Sequence, residues 1–552
     1  MLKVFRSSFV VGFLLGLVNV LPVRAAEKLI LTYGSLKISM PVASLKTYAE
    51  TGQTDESLSP YLNMLSQSNR DQLRALLTKQ IPIDPVRTSR FLNSAMGEDV
   101  LYRMGKAITI EGNINGKYAI RSAIVQSAFA PGGFTFLGFL EKYPTNLELP
   151  GEYVLDLTNE IAIAIDGTKT FVTKMRQWTL EEAKEENNTF DYAKKGDLES
   201  MGKFEVKQET WHLEDPKRNR KFYVLVFKPT TYREGLTPVI IFSHGLASRP
   251  DDFVARAKHL ASYGFVVAMP QHPGSDLQYM QDMFAGYHAN IFDVNEFIDR
   301  PLDISYVIDE LERRNQSEFA GKLDLKRVGA YGHSFGGYTV LSLAGARINF
   351  DQLNQSCNND KFAMFNAASI LQCRALALPH QSRDFRDERV VAVIAANPVN
   401  RALFGRQEIS RIKIPVLIIS GSYDPATPPV FEQVGSFNAL KSSKKYLLLA
   451  EGQAHVDLSV LDGGITSSVE SIGDIQLPNP SNLHKYFDSI ALAFGEVHVA
   501  QNQAYLPYLE SAYAVFLSKG NEFKLNLIDQ NYAKELNKEI IDFQQKYNMK
   551  PW

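Results

Sequence analysis

The apolar positions of the chain follow two different periods. Between about residues 27 and 145 the spacing is helical: Leu58, Tyr61, Leu62 and Leu65 fall at i, i+3, i+4 and i+7, and Ile120, Ala123 and Ile124 repeat part of that pattern. Such spacing stacks apolar side chains on one face of a helix. Ser68 followed by Asp71 predicts the start of a further helix carrying Leu73, Leu76 and Leu77. The expectation for 26–150 is a small all-helical domain. It carries no His, no Cys and no Gly-rich phosphate loop, so nothing in it asks for chemistry. The stretch 181–199 is dense in charge and Asn and poor in aliphatics, and 151–203 reads as a solvated connector.

The period then changes. Residues 204–211 and 222–227 read as two strands of a hairpin around Asp215-Pro216-Lys217-Arg218-Asn219. Short unbroken apolar runs at 239–242, 265–269, 328–331, 390–394, 416–419 and 446–449 alternate with helical segments. Strands buried on both faces give such runs, so 204–525 is predicted to be an α/β domain with a mainly parallel sheet. Insertions are expected at 275–297 and 347–388, and a helical tail over 526–552.

Composition narrows the classes. At about 150 residues per domain, 552 residues exceed one ordinary domain. With 45% apolar and 22% charged residues the chain is neither disordered nor a coiled coil. A formal charge of −2 without a Lys/Arg block excludes the footprint of a nucleic-acid binder. Residues 1–25 read as a secretory signal: Lys3 and Arg6, an apolar run over 9–20, then Val23-Arg24-Ala25 with cleavage after Ala25. The apolar run, about 12 to 15 residues, is shorter than the roughly 20 a bilayer needs. No Cys stands near that point for a lipid anchor. The mature chain, with 56 basic and 61 acidic residues and a charge of −5, is expected in the periplasm or outside the cell, without a membrane span. In such a compartment Cys357 and Cys373 are expected to pair, closing a loop worth roughly 3 kcal/mol. Neither has a Cys or His partner at zinc-site spacing.

Candidate chemistry stands at strand ends, where parallel sheets place their working groups. The 328–331 run leads into Gly332-His333-Ser334-Phe335-Gly336-Gly337 and a helical stretch. A Gly-x-Ser-x-Gly between strand and helix makes a sharp turn that exposes the serine hydroxyl, so Ser334 is the candidate nucleophile. A serine needs a base, and the base an orienting carboxylate, in the chain order Ser, Asp/Glu, His for this fold. Asp424 follows the 416–419 run and His455 the 446–449 run, both on loops. His484 and His498 are the alternative bases and Asp457 the alternative acid. Backbone donors for an oxyanion are expected from the N–H of Phe335 and, after the 239–242 run, the N–H of Leu246, where Gly245 lets the backbone turn inward. His244 reads as a brace for that loop.

The chain resembles a known group. From about 205 to 500 it looks like an α/β-hydrolase of the dienelactone hydrolase and platelet-activating factor acetylhydrolase group. The resembling stretches are Ile241-Phe242-Ser243-His244-Gly245-Leu246, Ala261-Ser262-Tyr263-Gly264-Phe265-Val266-Val267-Ala268, Asp299-Arg300-Pro301-Leu302-Asp303-Ile304 and Gly332 to Gly337. Residues 27 to about 145, opening with Leu31-Thr32-Tyr33-Gly34, are similar to a domain of unknown function that precedes such hydrolases in cyanobacteria. The resemblance implies an exported esterase-like protein. One departure stands out: animal platelet-activating factor acetylhydrolases carry the triad aspartate one strand earlier, where this chain has Asn397. A neutral amide cannot stabilise an imidazolium as a carboxylate does, which leaves that role to Asp424.

The expectation is an exported serine hydrolase that cleaves lipid or small aromatic and acyl esters through an acyl-enzyme, with no metal and no organic cofactor. Peptidase or acyltransferase activity would use the same triad, and a non-catalytic binding protein on a hydrolase scaffold is the rival of another class. Met280, Met283, Phe284, Tyr287 and Phe292, with Phe297, are candidates for an acyl pocket in the first insertion. The cysteines would pin a lid formed by the second.

Overall fold

A computed structural model of the chain describes residues 25–549 except 187–189, 197, 360–365, 456–479 and 522. Residues 1–24, which fall in the span read as a secretory signal, and Asp457 lie outside the described residues. Contacts divide the chain into two compact units, Met1–Thr158 and Asn159–Trp552. Among the described residues no helix is long and apolar enough to cross a membrane.

The first unit is not all-helical. β1 (Lys28–Tyr33) and β2 (Leu36–Pro41) form a hairpin, and β3 (Thr109–Ile110), β4 (Ile114–Asn115) and β5 (Leu147–Pro150) complete a sheet of order β2-β1-β5-β3-β4. The hairpin had a local signal, Gly34-Ser35 between two runs, with Gly34 at φ 56°. The rest had none: two strands are two residues long, and β5 joins β1 through a parallel pairing of Leu29 with Leu147. The helix Lys117–Ala128 buries Ile120 and Ala123 as expected. Around Leu58 only one helical turn forms, Ser59–Leu62, with Leu58 and Leu62 packed on Leu45 and Tyr48. The helix Gln67–Thr78 starts from Ser66, whose hydroxyl accepts from the Asn69 N–H at 3.2 Å, and not from Ser68.

The connector is largely a helix, Gly151–Glu185. Phe171, Met175 and Trp178, at i, i+4 and i+7, are buried on one of its faces. In the second unit Thr179 exchanges hydrogen bonds with the Leu527 backbone at 3.0 and 3.1 Å, and Arg176 pairs with Glu451 at 2.6 Å. Charge density over 181–199 described only the far end of an element that packs.

The second unit is an α/β fold around a mixed sheet. Its strands are β6 (Val206–Asp215), β7 (Arg220–Pro229), β8 (Thr237–Ser243), β9 (Val266–Pro270), β10 (Leu323–His333), β11 (Val390–Ala396), β12 (Val416–Gly421), β13 (Lys445–Ala450) and β14 (Leu525–Asp529). The order is β14-β13-β12-β11-β10-β8-β9-β7-β6, parallel from β9 to β13 across the middle and antiparallel at both edges. β6 and β7 form the expected hairpin, with Asn219 at φ 49° in its turn. β14 overlaps the start of the span 526–552 read as a helical tail: it pairs with β13, and in that span only residues after Asp529 are helical. β8 lies between β9 and β10, so the chain order reverses at β8 and a crevice opens at the carboxyl ends of β8 and β10.

Candidate active site

β10 enters the turn that holds Ser334 at φ 56° and ψ −115°, and the helix Phe335–Leu343 starts with the next residue. A left-handed, non-glycine residue here is strained, and the surroundings hold it in place. The Ser334 N–H donates to the Ala396 carbonyl at 2.9 Å. The glycines are there for close packing: a Cβ on Gly332 would stand 2.1 Å from the Gly336 carbonyl oxygen, and one on Gly336 2.0 Å from that of Ser243.

Asp424 and His455 come from the loops after β12 and β13, which are laced together. Tyr423 N–H donates to the Gln453 carbonyl at 2.9 Å, and Gly452 N–H to Ser422 Oγ at 2.8 Å. His455 Nδ1 donates to Asp424 Oδ2 at 2.7 Å. Because the carboxylate only accepts, Nε2 is left to accept from the Ser334 hydroxyl at 2.8 Å. Burial works against the Asp424 carboxylate, but His455, then the hydroxyl and N–H of Thr427, outweigh it and hold its pKa below the usual range.

Three polar neighbours were not foreseen in these roles. Thr427 Oγ1 donates to Asp424 Oδ2 at 2.6 Å. His333 Nε2 donates to the His455 carbonyl at 2.8 Å, and burial, with the His455 ring beside it, pushes the His333 imidazole down to about 3, so it stays neutral. Asn397, at φ 44°, accepts from Gly421 N–H through Oδ1 at 3.1 Å, and its Nδ2 stands 3.5 Å from the His455 carbonyl. The amide at 397 thus links the ends of the two loops. His498 lies elsewhere, 3.2 Å from Tyr446 Oη, and burial pushes it down to about 4. His484 sits in the helix Pro480–His498.

The loop after β8 runs against the serine: a methyl on Gly245 would lie 3.2 Å from Ser334 Cβ. Neither the Leu246 N–H nor the Phe335 N–H finds an acceptor among the described residues. His244 is fully packed, with Nδ1 donating to the Gly245 carbonyl at 2.8 Å and Nε2 accepting from the His272 N–H at 3.1 Å. Burial, then Arg300, hold its pKa far below the ordinary value, which suits a neutral brace and not a base.

The expected pocket residues of the first insertion are differently exposed, and none of them lines the cavity beside His333. Met283 and Phe292 are buried, Met280 and Phe284 half-buried, and Tyr287 is 79% exposed. Phe292 packs edge-on against Phe335, at 5.8 Å between ring centroids, as part of the core. A partly open cavity of about 60 Å³ lies against His333, Asn397 and Gln453, lined by Phe242, Met269 and Phe487 together with Arg256 and Asp488, and none of Ser334, Asp424 and His455 lines it. Cys357 and Cys373 are disulfide-bonded. They join the helices Phe350–Asn359 and Ala367–Cys373, whose described residues pack into the unit: Gln372 accepts from the backbone of Ala402, and the Ala368 N–H reaches the Ala426 carbonyl at 2.7 Å.

A mixed, mainly parallel sheet with a serine on a strand-to-helix elbow and a histidine–carboxylate pair on later strand ends is the arrangement that α/β-hydrolases share. Comparison with known families agrees. Residues 25–149 match the family described as "Alpha/beta hydrolase of unknown function (DUF1400)", and residues 195–357 match the family "Chlorophyllase". Both segments of the resemblance drawn from the sequence are borne out, the second toward α/β-hydrolases of the dienelactone hydrolase type. The second match takes in the Gly245 loop and Ser334 and ends before Asp424 and His455. No curated protein matches the chain.

Proposed function

We propose that the protein is an exported serine hydrolase of carboxylic esters, with Ser334 as nucleophile, His455 as base and Asp424 as its orienting acid. The observation that carries this reading is the unbroken chain Ser334 Oγ, His455 Nε2, His455 Nδ1, Asp424 Oδ2, with links of 2.8 and 2.7 Å. Ser334 Oγ attacks the ester carbonyl while His455 takes its proton, and Asp424 stabilises the imidazolium. The N–H groups of Leu246 and Phe335 receive the oxyanion. His455 returns the proton to the leaving alcohol, then activates a water that releases the acid from Ser334. The Chlorophyllase match supports an esterase, and the disulfide and leader-like N-terminus support export.

A fluorophosphonate probe tests the reading. The mature protein is expected to label at one site and to hydrolyse p-nitrophenyl esters, and Ser334→Ala to do neither. An unlabelled wild type, or equal labelling of Ser334→Ala, overturns it.

A further inference from the structure

One fully buried side chain touches both segments that supply the backbone donors. Arg300, on the helix Glu296–Phe319, has no exposed surface. Its Nη2 donates to the His244 carbonyl at 2.8 Å and the Gly245 carbonyl at 3.3 Å, and its Nε to Ser275 Oγ at 3.0 Å. On its other side the guanidinium carbon lies 4.6 Å from the centroid of the Phe335 ring. The remaining nitrogen, Nη1, has no hydrogen-bond partner, while Nε also lies 3.6 Å from Glu296 Oε2 in an ion pair and Nη2 3.3 Å from His244 Nδ1.

The carbonyl of Gly245 and the N–H of Leu246 belong to one peptide plane. That plane is rigid and trans, so whatever holds the oxygen aims the N–H the opposite way. The oxygen is held twice, by Arg300 Nη2 and by His244 Nδ1. A cation on the carbonyl also polarises the peptide and strengthens its N–H as a donor.

We propose that Arg300 is a positioning residue of the oxyanion site, holding the Gly245–Leu246 peptide with its N–H toward Ser334 and seating Phe335 through its ring. The proposal rests on the hydrolase reading above. A buried cation is costly to keep, and hydrophobic replacements often hold a fold as well or better. Here the surroundings are built to retain it: Ser275 Oγ donates onward to Glu296 Oε2 at 2.5 Å, and Arg220 joins Glu296 to Asp303 at 2.7 and 2.8 Å. An apolar side chain could fill the space, but it could not hold the Gly245 oxygen.

The test compares an ester with its thionoester, whose sulfur is larger and accepts hydrogen bonds poorly, in wild type, Arg300→Met, Arg300→Lys and His244→Ala. Active sites are counted with the fluorophosphonate probe, so loss of folded protein does not affect the ratio. Removing one oxyanion donor costs about 10²–10³ in kcat. Arg300→Met is expected to lower kcat on the ester by about 10- to 100-fold with KM within about twofold, and to lower the ester-to-thionoester ratio about tenfold or more, with Arg300→Lys in between. Unchanged kcat per labelled site and an unchanged ratio in the Arg300 variants overturn the proposal. If neither folds, Arg300→Gln decides by the same ratio, a lowered one supporting the clamp on the Gly245 carbonyl and an unchanged one overturning it, and His244→Ala, which leaves Arg300 on that carbonyl, reads the share of the second holder. A wild type that neither labels nor hydrolyses overturns the hydrolase reading itself, whereas active variants with the wild-type ratio overturn only the role of Arg300.

Discussion

Thr427 donates its hydroxyl to Asp424 Oδ2 at 2.6 Å, the same oxygen that accepts from His455 Nδ1 at 2.7 Å. The Asp424 carboxylate is therefore oriented from two sides. Hydrogen bonds to a charged group contribute about 1.5–3 kcal/mol, so Thr427→Val is expected to lower kcat/KM about tenfold or more. Thr427→Ser keeps the donor and should stay near wild type. Steady-state kinetics on one chromogenic ester check both.

The two carboxamide and carboxylate positions are not interchangeable. Asp424→Asn removes the group that stabilises the imidazolium, and a loss of about 10⁴ in kcat is expected. Asn397→Asp does not restore it. A carboxylate at 397 still accepts from Gly421 N–H but brings a negative oxygen toward the His455 carbonyl, so the double variant should be no faster than Asp424→Asn. A double variant that recovers activity would show that position 397 can hold the acid.

Acid destabilises the second unit through its buried histidines. Burial, then Arg300, depress the pKa of both His244 and His272, and burial depresses that of His333. For a group depressed in the fold, the stabilisation is complete above the unfolded value near 6.5. It is lost as pH falls toward the folded value, because the unfolded chain takes up the proton first. Each such histidine costs about 1.4 kcal/mol per pH unit in that window. Thermal melts should show Tm falling steadily from pH 7 to pH 5, with little change from pH 7 to pH 8.

The disulfide steadies a segment that leans on the acid loop. Closing a loop of about 15 residues is worth about 3 kcal/mol, so Cys357→Ser with Cys373→Ser is expected to lower Tm by about 5–10 °C. The Ala368 N–H bond to the Ala426 carbonyl carries the loss to the loop of Asp424, and kcat should fall severalfold. Equal Tm and kcat in the double variant would separate the disulfide from the site.

The legible parts of the site were those built by short stretches of chain. Ser334 stands out because a strand, a Gly-flanked serine and a helix follow one another directly. Asp424 and His455 stand out because each follows an apolar run by a few residues. Thr427, Asn397, His333 and Arg300 carry no such mark. Arg300 was visible only within Asp299-Arg300-Pro301-Leu302-Asp303-Ile304, and its contact with the His244 carbonyl spans 56 positions. The connector helix is legible in part: Phe171, Met175 and Trp178 carry helical spacing, while the charge over 181–199 marks only its far end.

By itself the sequence determined the order of the buried strand runs in the second unit, the elbow at Ser334 and the loops at strand ends, because hydrophobic period and backbone sterics act within a few residues. Tertiary structure decided the rest. It paired β1 with β5 of the first unit through Leu29 and Leu147, drew β14 onto β13, and packed Phe292 of the first insertion beside Phe335. It also brought His455 between Ser334 and Asp424, across 121 and 31 positions. Such contacts depend on how faces pack and which buried polar atoms find partners, and those are properties of the closed fold rather than of any local run of residues.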